Sequence, residues 1–151
     1  MSEPDTSDRE NVVVRTFNAP RELVFQVWTD PTHLAKWWGP KGFTNTFHEF
    51  DLRPGGEWRY TMHGPNGGNY ENSSVFVEIV HPERIVIDHV SNPKFRVIAT
   101  FEEDEGKTKV TFRQVFPTAE DREKVKSFAV EGIRQGFDRL QERLAGLAEA
   151  A

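Results

Sequence analysis

No cysteine occurs in the chain, which removes disulfides, thiol nucleophiles and cysteine-ligated metals together. No apolar run approaches the length of a membrane span. The basic excess of a nucleic-acid surface is missing too: 19 Lys and Arg face 24 Asp and Glu, a formal charge of −5. The opening MSEPDTSDRE has neither a basic n-region nor an apolar h-region and is not a signal peptide. Catalytic signatures are equally scarce. There is no HExxH, no G-x-S-x-G elbow and no phosphate-binding glycine loop; GPNGG at Gly64 reads as a hairpin turn. The histidines at 33, 48, 63, 81 and 89 form no i, i+4 ligand pair. His48 and His63 can approach across a hairpin, but two histidines without a third ligand do not make a zinc site. No metal, cofactor or catalytic residue is therefore assigned. The expectation is a cytoplasmic protein with a disordered leader over residues 1–10 and one folded domain over 11–151, long enough to bury a core.

Aromatic residues are what the chain does have, with 12 Phe and 4 Trp among 151 residues. That content means a bulky core or an aromatic-lined pocket. The most informative stretch is DPTHLAKWWGP, Asp30 to Pro40. Trp37 and Trp38 end a helical turn and are stopped at once by Gly39-Pro40. Neighbours on a helix point in different directions, so one indole can enter the core while the other caps an opening; the alternative is that both plug the core.

The β-branched run Asn11 to Phe17 predicts a strand. Asn18 as N-cap and Pro20 in the first turn predict a helix over RELVFQVWT, with Leu23, Val24, Val27 and Trp28 at helical spacing. A second short helix is predicted after Asp30, with Pro31 at its start. From Phe43 to Phe116 short strands alternate with turn signals (RPGG, GPNGG, HPER, SNPK and DEGK), the texture of an antiparallel meander. A long helix closes the chain, opened by Thr118 with Asp121 in a capping-box arrangement. Its stripe runs through Phe128, Gly132, Ile133, Gly136, Phe137, Leu140, Leu144 and Leu147. Each of the two stripe glycines costs about 1 kcal/mol against alanine, so a close neighbour is expected there, either sheet side chains or a ligand.

Turn lengths suggest registers. A four-residue DEGK loop faces Phe101 with Val110, Ala99 with Phe112, Val97 with Gln114 and Phe95 with Phe116. In the RPGG hairpin, an even loop would set Phe50 beside Arg59. A bulged turn is preferred, aligning Phe50 with Tyr60, Leu52 with Trp58, His48 with Met62 and Asp51 with Arg59. In Arg84 to Val90 either Asp88 or His89 faces inward, and the one that does needs a hydrogen-bond partner.

This order of elements, with RTFNAPRELVFQVWTDPTHLAKWWGPKGF, DLRPGGEW and the weaker GIRQGFDRL, resembles the bacterial relatives of the heat-shock-protein-90 ATPase activator. They belong to the START-like (SRPBCC, birch-pollen-allergen-like) superfamily. The resemblance covers Asn11 to about Leu147. It implies an α+β helix-grip fold: a curved antiparallel sheet wraps the long C-terminal helix, and two short helices follow the first strand. It also implies a largely apolar cavity between sheet and helix, which in the superfamily takes lipids, sterols or aromatic polyketides. The full eukaryotic activator carries an additional N-terminal, chaperone-engaging domain for which this chain has no room, so co-chaperone function is not carried over.

The expected activity is binding of a small hydrophobic, aromatic or lipid-like molecule. Trp58, Tyr60, Phe76, Phe112 and Phe128 would supply walls, with Phe50 and Met62 on the same sheet face. Gly132 and Gly136 would leave depth under the helix, and Trp37 and Trp38 would close one end. His48, Gln114 and Asp88 or His89 would orient the ligand. Two alternatives stand beside this: a cyclase- or hydrolase-type enzyme using the same cavity for acid–base chemistry, and an interaction protein contacting a chaperone.

Overall fold

The computed structural model describes residues 6–150. A 3-10 turn, Ser7–Arg9, leads into β1 (Glu10–Phe17), α1 (Arg21–Thr29) and α2 (Pro31–Trp37). Six strands follow: β2 (Thr44–Phe50), β3 (Glu57–His63), β4 (Asn69–Val80), β5 (Arg84–His89), β6 (Phe95–Asp104) and β7 (Lys107–Val115). α3 (Ala119–Ala150) ends the chain. All pairings are antiparallel, in the order β1-β7-β6-β5-β4-β3-β2, so β2 to β7 form a meander and β1 closes on its last strand. This curved seven-stranded sheet with its long helix is the helix-grip fold expected from the sequence.

The core lies between the inner sheet face and the helices. Alternate residues Val97, Ala99 and Phe101 on β6, and Val110 and Phe112 on β7, are buried and meet residues of α1 such as Phe25 and Trp28. α1 starts as its apolar spacing predicts, but Asn18 is not its cap: Pro20 holds that position, without a side-chain hydrogen bond. At α2 the expected device is present, with the Asp30 carboxylate accepting from Thr32 N at 2.9 Å. Thr118 Oγ1 likewise accepts from Asp121 N at 3.1 Å where α3 begins.

Of the expected leader over residues 1–10, Ser7–Arg9 form a 3-10 turn and Glu10 begins β1. Residues 1–5 lie outside the described residues, and so does Ala151. Arg9 already reaches across to β7's end, donating from Nη1 to Phe116 O at 2.7 Å, and Glu10 opens β1 opposite Val115.

The β6–β7 register is as expected, with Phe101 opposite Val110, Ala99 opposite Phe112 and Val97 opposite Gln114. Between β2 and β3 the expected register is wrong. Phe50 pairs with Trp58 and Phe47 with Tyr60, while the irregularity falls between Phe47 and Glu49, inside the strand. The RPGG turn closes tightly on itself, with Asp51 N donating to Glu57 O at 2.9 Å. A Cβ on Gly56 would lie 2.0 Å from Asp51 O, so only glycine fits there. The bulge lets Phe47 and Phe50 share the inner face despite their spacing, and their rings stack 5.8 Å apart. Arg59 pairs with Glu49 at 3.1 Å, not with Asp51, whose partner is Arg53.

Candidate functional site

α3 presses on the sheet along only part of its length. Phe137, Leu140 and Leu144 are buried, but the preceding turns stand away from the sheet. The gap is an open cavity of about 290 Å³. β3 to β7 supply its floor through Tyr60, Met62, Asn72, His89, Phe95, Val97, Phe112 and Gln114, with Phe116 just beyond β7. Val125, Phe128, Ala129, Gly132, Ile133 and Gly136 of α3 form its roof. Phe128, 65% exposed, stands at the mouth.

One end is closed by the Trp37–Pro40 loop. Trp37 is buried and donates from Nε1 to Val27 O at 3.0 Å, while Trp38 is half-buried and donates to the Tyr60 hydroxyl at 3.3 Å. The pair divides in burial, Trp37 in the core and Trp38 half-buried, although both border the cavity. Gly39 turns the chain at φ +96°, where a Cβ would also collide with Met62. The nearest neighbour of both helix glycines is this loop, at ordinary van der Waals distance: a Cβ on Gly136 would lie 3.5 Å from Gly39 O, and one on Gly132 3.4 Å from Pro40.

Arg139, which sequence reasoning missed, holds the loop from α3. Its guanidinium donates to the carbonyls of Lys36, Trp38, Gly39, Pro40 and Phe43 at 2.9–3.1 Å. Partial burial holds its pKa below the usual arginine value. The five carbonyls include those of Lys36 and the C-cap residue Trp38 at the end of α2, where intrahelical donors run out and a fork of donors fits. Asn45 adds bonds to Ala35 O at 3.2 Å and Trp38 O at 2.8 Å.

Polar groups cross the floor as a belt. The inward choice between Asp88 and His89 falls to His89, which is 6% exposed and stacked on Phe95 at 4.5 Å. Its Nδ1 donates to Pro93 O at 2.7 Å, and Asn72 Oδ1 lies 2.8 Å from Nε2. Burial moves the ring's pKa below 6.5, against the opposing pull of hydrogen bonds to the Pro93 and Ser91 backbone. Tyr60 is pushed up to about 12 by burial, so its hydroxyl stays protonated. Gln114 Oε1 accepts from Asn11 Nδ2 at 3.1 Å, and Asn11 Oδ1 accepts from Arg122 Nε at 3.2 Å. No Asp, Glu, Lys or Arg lines the cavity among the described residues.

Five expected site residues lie elsewhere. Asp88 is on the outer face, bound by Arg96 through two hydrogen bonds of 2.7 and 3.0 Å. His48 sits in the β2 bulge, exposed, with Nε2 2.7 Å from Thr61 Oγ1. Phe50, Trp58 and Phe76 form an aromatic cluster behind Trp38 and Tyr60, apart from the cavity walls. Trp58 and Phe76 border only a void of about 10 Å³. The β2–β3 register accounts for His48 and Phe50, since the bulge turns one outward and brings the other against Trp58. Trp37, Trp38, Tyr60, Met62, His89, Phe112, Gln114, Phe128, Gly132 and Gly136 do converge on the cavity. Asn72, Phe95, Phe116 and Val125 join them; Asn72 gave no sequence signal, because its strand lacks a clean alternation.

The model of the family described as "Activator of Hsp90 ATPase homolog 1-like protein" matches residues 18–145. The chain belongs to this family. Its fold is shared by a protein of Nitrosomonas europaea (TM-score 0.86, 23% identity, 95% of this chain and 99% of that one). An Arthrobacter aurescens protein is similar to the same degree (TM-score 0.86, 24% identity, 95% and 90% covered). An AHSA1-like protein from Aeromonas hydrophila is similar at TM-score 0.74 and 18% identity, over 92% and 94% of the two chains. No curated protein matches. The family match establishes the family, and the structural likenesses establish the fold.

Proposed function

We propose that this protein binds a small hydrophobic molecule in the cavity beneath the first half of α3. The observation that carries the reading is an open, uncharged, aromatic-walled space of about 290 Å³ with a few convergent polar groups. Ligand pockets have this character, and roughly 300 Å³ is the lower end of their usual size. Burial of apolar ligand surface drives affinity at roughly 25 cal/mol per Å² before ordering costs. A location inside the cell belongs to the same proposal; among the described residues no helix is long and apolar enough to cross a membrane.

Gly132→Leu tests the placement, since its side chain enters the space between Pro40 and the floor. Titrating wild type and variant with flavonoids, sterols and fatty acids, followed by amide NMR, is expected to show cavity shifts that the variant loses while keeping a folded spectrum. Equal affinity in a folded variant contradicts the placement. The family's description favours a second reading, a chaperone-associated role through the outer surface. Chaperone binding that survives a filled cavity would support it.

A further inference from the structure

The polar belt narrows the ligand class, on the condition that the cavity binds a ligand at all. Arg122 can only donate, so Asn11 turns Oδ1 toward it and presents Nδ2 to Gln114. That contact takes up Gln114 Oε1, which fixes the amide with Nε2 as its outward group. Nε2 has no hydrogen-bond partner among the described residues, and Gln114 lines the cavity. Once a ligand displaces solvent from this open cavity, that donor is costly to leave unmet unless the ligand brings an acceptor.

The surrounding rings, among them Trp38, Tyr60, Phe95, Phe112, Phe116 and Phe128, suit a planar aromatic body. Charge is what the space does not accommodate. Arg9, Lys94 and Arg96 occupy a separate outer groove with Asp88, behind the layer formed by His89, Phe95 and Phe116. A carboxylate held in the cavity would lose its water without gaining a cation. We infer that the cavity takes an uncharged aromatic ketone or related aromatic carbonyl compound, whose oxygen accepts from the Gln114 side-chain amide.

Three probes of one shape separate the terms: 2-acetonaphthone, 2-ethylnaphthalene and 2-naphthoate, titrated at pH 7.5 by calorimetry and amide NMR. The ketone is expected to bind about tenfold tighter than the hydrocarbon, the scale of one net hydrogen bond, and at least about tenfold tighter than the carboxylate. Gln114→Leu should erase the ketone's advantage and leave the hydrocarbon unchanged. Asn11→Asp keeps Gln114 in place and reverses its amide, because a carboxylate there accepts from both Arg122 and Gln114. It should lower ketone affinity in the same way. A carboxylate that binds as tightly as the ketone, or a ketone advantage surviving both variants, overturns the inference while leaving hydrophobic binding intact. No cavity shift with any probe overturns both.

Discussion

In the second half of α3, Phe137, Leu140 and Leu144 are no more than 2% exposed, packed against the sheet and α1. In the first half, Phe128 continues the same stripe at 65% exposure above a cavity. Helical period is identical in both halves. What differs is the layer beneath: the packed half lies over the end where Trp28, Trp37 and Phe101 interlock, the open half over the belt of Asn72, His89 and Gln114. Gly132 and Gly136 mark the boundary, where the Trp37–Pro40 loop crosses the helix and Arg139 fastens it. An apolar stripe thus tells which side of a helix turns inward and leaves open whether protein or ligand covers it.

The contrast can be broken by mutation, beginning at the packed half. Leu140→Ala is expected to cost about 2–5 kcal/mol in urea unfolding, as deletion of fully buried methyls does. A loss under 1 kcal/mol would mean that this half is no better packed than the other. Next comes the fastening between them. Arg139→Met removes five bonds from a cation to carbonyls and should cost about 2–3 kcal/mol, the range of a hydrogen bond to a charged group. It should also broaden the Trp38 indole resonance as the loop loosens.

A smaller effect belongs to the floor. His89 has a folded pKa below its unfolded 6.5, so the unfolded chain binds more protons between those two values. Its contribution is therefore complete above about pH 6.5 and is lost as pH falls from there through the folded pKa. Stability should decline over that window by at most about 1.4 kcal/mol per pH unit, and comparing denaturation curves of wild type and His89→Asn should show that part of the slope vanish. Smallest of all is Phe128→Ala. With so exposed a ring its stability change should stay within about 0.5 kcal/mol, while aromatic ligands should dissociate faster.

The sequence made some of this legible and concealed the rest for physical reasons. The β6–β7 register could be read because Glu105 and Gly106, both at positive φ, close a tight two-residue turn between Asp104 and Lys107. The β2–β3 register could not, because its bulge sits at His48 rather than in the glycine-rich turn; the spacing of Phe47 and Phe50, odd for one strand face, was the available clue. That displacement removed His48 and Phe50 from the expected site. Asp88 and His89 were indistinguishable by pattern, since a further bulge between Phe76 and Glu78 offsets the neighbouring strand. Arg139 was illegible for another reason: its partners are backbone carbonyls of a distant loop, and carbonyls leave no trace in a side-chain pattern.

On the proposed function, ligand fills the open half of α3 and not the packed half. Intermolecular NOEs between 2-acetonaphthone and the methyl and ring protons of the protein test it most directly. The account predicts NOEs to Val125, Phe128, Ile133 and Phe112, with none to Leu140 or Leu144. NOEs confined to the outer sheet face, or to the Leu140 region, would contradict it.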